Sequence, residues 1–141
     1  MRIMAIDYGD AHTGIAISDP TGLLAGFTTV INAYRPDRVT GQIALLAKEH
    51  RVERLVLGHP INMDGTRGPR SEKAQAMRQL LEETTGLTVG LWDERRTTLD
   101  AHQILMSSGK NAKKRKKVVD AVAASLILEG YLTYLKTHPE G

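Results

Sequence analysis

Apolar residues run unbroken from Ile3 to Ile6 and end at a carboxylate, Asp7. Residues 2–7 therefore read as a strand buried on both faces. Gly9 and Gly14 bracket a turn, residues 14–18 read as a second strand, and Asp19-Pro20-Thr21-Gly22 is the next turn. Residues 25–31, rich in Thr, Val and Ile, supply a third strand. Three strands joined by short turns predict an antiparallel meander.

The apolar period then lengthens. Pro36 and Asp37 open a helix with Val39, Ile43, Leu46 and Ala47 on one stripe. Residues 54–58 form a short buried strand, and residues 59–69 a polar, glycine-containing loop. Ser71 opens a second helix with Ala74, Met77, Leu80 and Leu81 on one face, ended by Gly86. Residues 88–93 are a fifth strand and residues 97–106 a short helix. Residues 107–117 are a polar, basic segment, and residues 118–135 a last helix that is apolar over most of its surface. The order is βββαβαβαα. Strands alternating with helices imply parallel, right-handed crossovers. No internal repeat or linker interrupts the chain. The expectation is a single α/β domain over residues 1–141, with a five-stranded mixed sheet covered by helices.

Composition narrows the chemistry. The chain has 141 residues, 41% hydrophobic and 25% charged, as in soluble globular proteins. It has no cysteine, which excludes disulfides, thiolate nucleophiles and zinc sites built on Cys. No signal peptide is legible at the start, since Asp7 interrupts the apolar run, and no stretch is apolar enough to span a bilayer. A cytoplasmic protein without a membrane partner is expected. The net charge of +3 permits a polyanionic partner without requiring one.

Three places carry acids that need explaining. A buried Asp7 needs a cation or hydrogen-bond donors, or else it caps the Gly9 turn; position alone leaves both open. Asp93 and Glu94 close the fifth strand, and only one of the two faces any given site, because neighbours on a strand point opposite ways. Asp120 lies on the last helix beside Ala123 and Ala124, small residues that let a helix approach a sheet. Taken alone it reads more plainly as an acid favoured by the helix dipole. If three carboxylates converged, repulsion would be large: about 4 kcal/mol for two unit charges about 4 Å apart at an effective dielectric near 20. A divalent cation removes that cost, and hard oxygen ligands suit Mg²⁺ or Mn²⁺. Spacing along the chain does not show convergence.

Six of the eight residues from position 110 to 117 are basic: Lys110, Lys113, Lys114, Arg115, Lys116 and Lys117. Such a block is either a solvated run or a phosphate-binding segment. Its position just before Asp120 favours the second reading, and Arg95 and Arg96 after Glu94 repeat the pairing. The loop from Gly58 follows a parallel-type strand, where ligand sites gather, so Arg67 and Arg70 are further candidate phosphate contacts. His12 and His59 lie near these loops, and neither residue type alone marks a catalyst.

Four motifs in order resemble the YqgF/RuvX family. They are Asp7-Tyr8-Gly9 with Gly14-Ile15-Ala16 and Ser18-Asp19; Gly58-x-Pro60 with Asn62-Met63-Asp64-Gly65-Thr66; Asp93-Glu94-Arg95 with Thr97-Thr98; and Val119-Asp120 with Ala123-Ala124, Ile127-Leu128 and Tyr131-Leu132. The family is described as Holliday-junction-resolvase-like and as nucleases maturing the 5′ end of pre-16S rRNA. The resemblance implies a ribonuclease H-like fold with sheet order 3-2-1-4-5 and an antiparallel strand 2. It also implies a metal-dependent nuclease, with Asp7, Glu94 and Asp120 as catalytic and metal-binding acids and nucleic acid (pre-rRNA or branched DNA) as partner. His12 stands where the family often has a basic residue, and His59 where it usually has Leu.

Two other functions compete. Asp-x-Gly before a second strand also resembles the phosphate-binding opening of ATPases and sugar kinases, but 141 residues leave no room for the second clamping domain. A nucleic-acid-binding module without catalysis would need only the basic segment. Acids in its binding site argue against it, because carboxylates without metal repel phosphate.

Overall fold

A computed structural model of the chain describes residues 1–9, 11–19, 25–59, 68–93 and 112–137. Its five strands are β1 (Ile3–Asp7), β2 (His12–Ser18), β3 (Ala25–Asn32), β4 (Arg54–His59) and β5 (Thr88–Asp93). Its helices are α1 (Pro36–Glu49), α2 (Pro69–Thr85) and α3 (Ala112–Thr137). The strands form one sheet in the order β3-β2-β1-β4-β5. β1–β2 and β2–β3 are antiparallel, whereas β1–β4 and β4–β5 are parallel. The expected antiparallel meander, parallel pairings and mixed sheet are present, with β1 central. The helix expected at 97–106 lies outside the described residues.

Alternation along the strands divides the core into two layers. Met4, Ile6, Ile15, Ile17, Leu55 and Leu57 face α1 and α2, which contribute Val39, Ile43, Met77 and Leu81. Ile3, Ala5, Ala16, Val56 and Trp92 face α3, which contributes Ala124, Ile127, Leu128 and Leu132. β1 is thus buried on both faces, as its unbroken apolar run predicts.

Local signals set the helix ends. Proline opens both α1 and α2, where its missing N–H costs no helical hydrogen bond. Gly86 stops α2 in the left-handed region, at φ 72°, and its N–H donates to the Glu82 carbonyl.

Several boundaries differ from the sequence reading. β2 starts at His12, two residues before Gly14, so His12 belongs to the strand and not to the turn. α2 starts two residues before Ser71. β4 extends to His59, which is buried in the sheet instead of opening a loop. The largest difference is α3, which begins at Ala112 and takes in Lys113, Lys114, Arg115, Lys116 and Lys117. The sequence reading starts the last helix at residue 118, after this basic segment, yet Lys and Arg are good helix formers and continue the helix that follows them. Among the described residues no helix is long and apolar enough to cross a membrane.

Candidate active site

Asp7 ends the central strand at the carboxyl edge of the parallel part of the sheet, half-buried. It shares strand parity with Ile3 and Ala5, so its side chain belongs to the face that α3 covers. Opposite it on β2 is Gly14, which has no side chain to fill the space. The turn between β1 and β2 is tight: a Cβ at Gly9 would collide with the His12 carbonyl oxygen. Glycine at that point lets β2 fold back directly beside Asp7.

Parity also separates the two acids at the end of β5. Trp92 faces α3, so Asp93 shares the other face with Val89 and lies beside His59 in the β4–β5 register. Asp93 is therefore turned away from the layer that holds Asp7. Glu94 lies outside the described residues.

Asp120 stands in α3, one helical turn before Ala124. Farther along, Arg54 Nη1 donates to Tyr131 Oη at 3.0 Å, and a Cβ at Gly130 would lie 2.8 Å from Trp92 Cζ2. Gly130 thus lets the helix close on β5. Around Gly130 and Tyr131 the helix reaches β4 and β5, while Ala124, Ile127 and Leu128 share the layer of Ala5 and Ala16 at the centre of the sheet. The structure accordingly brings Asp7 and the helix carrying Asp120 to one face. Among the described residues no group of three His, Asp or Glu side chains is placed to hold a metal.

A family described as RuvX: Holliday junction resolvase matches residues 1–134. The chain belongs to the RuvX family. A Halothermothrix orenii protein named "Putative pre-16S rRNA nuclease" is 43% identical over 134 residues, 95% of this chain and 96% of that protein. A Bacillus subtilis protein of the same name is 42% identical over 137 residues, 96% and 99% of the two. Among solved structures, T. thermophilus RuvC in complex with a Holliday junction substrate matches with a TM-score of 0.61 at 15% identity, covering 97% of each chain. That likeness is one of fold, and the fold of this RuvX-family chain is ribonuclease H-like.

The two histidines fall on different sides of the RuvX-family sheet. His12 begins β2 on Asp7's face, and its Nδ1 lies 2.6 Å from Asn32 Oδ1 on β3. His59 points into the α1/α2 layer, with Nε2 2.6 Å from Ser71 Oγ. Ser71 is fully buried, so this pair ties β4 to the first turn of α2 and offers no nucleophile to a substrate. The loop reading missed this bond because residue type alone does not reveal which loop residues turn inward. Of the basic candidates, Lys113, Lys114, Arg115, Lys116 and Lys117 occupy the first turns of α3, and Arg70 the first turn of α2. Arg67, Arg95, Arg96 and Lys110 lie outside the described residues.

Proposed function

We propose that this chain is a divalent-metal-dependent nuclease that hydrolyses phosphodiester bonds, acting in 5′-end maturation of pre-16S rRNA, on branched DNA, or on both. The observation that carries the reading is the position of Asp7: a half-buried carboxylate ending the central strand, opposite a glycine, on the face covered by α3. Membership of the RuvX family and the names of the relatives supply the substrate class. The site belongs, with its substrate, in the cytoplasm.

The donor chemistry fits Mg²⁺ or Mn²⁺. Asp7, Glu94 and Asp120 are the residues proposed to hold it, an all-oxygen set in a chain without cysteine. Glu94 is preferred to its neighbour because Asp93 shares the parity of the α1/α2 layer. Asp120 is supported by its spacing, since positions 120, 124, 127 and 131 follow one helical stripe. The bound ion would neutralise the carboxylates and the charge that develops on the phosphate oxygens. The chain's own part is to fix the carboxylates on rigid elements and to gather phosphates with the basic start of α3. A helix N-terminus adds to that positive potential. Arg67, Arg70, Arg95, Arg96 and Lys110 are proposed as further phosphate contacts.

The test uses end-labelled pre-rRNA and four-way DNA junctions with Mg²⁺ or Mn²⁺, with and without EDTA, beside an Asp7→Asn variant. Cleavage that needs the metal and vanishes in the variant is the expected result. Cleavage at the wild-type rate in EDTA or by Asp7→Asn would overturn the reading, and binding of both substrates without cleavage would replace it with a non-catalytic module.

A further inference from the structure

Tyr8 follows Asp7 but points the other way, into the layer of α1 and α2. There it helps to line an open cavity of about 350 Å³ with Tyr34, Pro36, Lys73, Met77 and Leu80. The lining is mostly apolar, with one cation at Lys73. Tyr34 lies in the connection between β3 and α1 and is 79% exposed. The chain has only six aromatic residues. Trp92, Tyr131 and Tyr134 are spent on one another, with ring centroids 6.3 Å apart in both pairs with Trp92. Two of the remaining three flank this cavity. Tyr8 is anchored against the core, so its ring is a fixed wall, whereas Tyr34 stands out in water.

We propose that this cavity receives one unpaired base of the nucleic-acid strand whose phosphate lies at Asp7; the inference rests on the nuclease reading above. Asp7 and Tyr8 are consecutive residues, with Cα atoms about 3.8 Å apart. A strand crossing the carboxyl edge of β1 therefore meets the acid and then the cavity. Tyrosine rings stack on any base, which suits a substrate class defined by strand state instead of sequence. Lys73 supplies positive charge at the same cavity for the backbone phosphate of that nucleotide. Met77 and Leu80 give the base an apolar floor. A base still paired in a duplex cannot enter without leaving its stack. The cavity would therefore make cleavage depend on an unpaired nucleotide beside the cut, as at a single-stranded precursor end or the crossover of a branched junction.

The experiment separates binding from chemistry by using the Asp7→Asn protein for affinity and the wild type for turnover. The probes are a short single-stranded oligonucleotide and the same strand with one abasic nucleotide moved along it. Loss of one stacked base corresponds to about a five- to 150-fold loss of affinity. One abasic position should produce a loss in that range. Tyr34→Ala should match it on the intact strand and add little on that abasic strand. Tyr34→Phe, which keeps the ring, should restore binding. Because Tyr34 is exposed, these variants should unfold at the wild-type temperature. An intact strand bound equally by the Asp7→Asn protein with and without Tyr34→Ala, or no position at which the abasic strand is weakened, would overturn the proposal. Failure of the nuclease reading would look different: no cleavage by the wild type, with the abasic and Tyr34 effects on binding intact.

Discussion

The two faces of the sheet bury different sizes of side chain. Toward α1 and α2 the strands turn Met4, Ile6, Ile15, Ile17, Leu55 and Leu57. Toward α3 they turn Ile3 and Trp92 at the ends, but between them Ala5, Gly14, Ala16, Val56 and Gly58, with Asp7 at the rim. The first face is a thick apolar layer closed by two amphipathic helices. The second is a shallow one that a single long helix approaches closely. Stability resides mainly in the thick layer, where large side chains are removed from water. The shallow layer can hold a charged group at its rim, because small neighbours leave that group room for a ligand.

The sharpest way to break this comparison is to change one residue on each side of β1. Asp7→Asn should lower cleavage on the order of a thousandfold, the scale for removing a group that acts on transition-state charge. Its unfolding midpoint should stay near that of the wild type. Ile6→Ala, one residue earlier, should do the reverse. It should cost about 2–5 kcal/mol of stability in denaturant titrations, with turnover by the folded fraction retained. If Ile6→Ala proved as inactive as Asp7→Asn while folded, the division of labour between faces would fail.

A smaller effect is expected at His59. His59→Ala removes the 2.6 Å partner of the buried Ser71 hydroxyl, leaving it only the long 3.5 Å bond from Gln75 Nε2, and should cost about 1–3 kcal/mol. Because His59 faces away from Asp7, kcat at saturating substrate should not move. A large fall in kcat without loss of fold would place His59 in the chemistry and would contradict its position in the sheet.

Much of this was legible in the sequence. β5 has the expected bounds, Gly9 marks the turn from β1 to β2 although Gly14 lies within β2, and the apolar stripe of α1 follows from its period. The acidic site was legible only in part. Alternation allows only one of Asp93 and Glu94 to face the layer of Asp7; the register of β5 against β4 and the layers that Val89 and Trp92 enter turn Asp93 the other way, while Glu94 lies outside the described residues. His59 was read as loop because Gly58 and Pro60 flank it, while its burial depends on a partner twelve residues away, which no local pattern encodes. The start of α3 was misread for a different reason. Repulsion among adjacent cations opposes compact structure, but helix propensity and the packed helix beyond residue 120 prevail.

On a helix, Lys113 and Lys117 are one turn apart and share a side, whereas Lys114 and Lys116 diverge by about 200°. Replacing Lys113 and Lys117 with Ala should flatten the salt dependence of binding by up to about 0.9 log units per phosphate contact removed. The Lys114–Lys116 double variant should have a distinct, smaller effect, and stability should change by no more than about 0.5 kcal/mol in either. Equal salt slopes in the two double variants would mean that the segment meets nucleic acid as an unstructured chain.

The central place of β1 has a consequence for how the molecule breathes. Its amides and carbonyls bond to β2 on one side and β4 on the other, and both of its faces are covered. Local opening begins where a segment has the fewest such ties. Amide hydrogens of residues 4–6 should therefore exchange with solvent deuterium only through global unfolding, while those in the first turns of α3 exchange through fraying. The carboxylate at position 7 is thus carried by a strand tied along both edges and covered on both faces, so local opening elsewhere should leave its place unchanged.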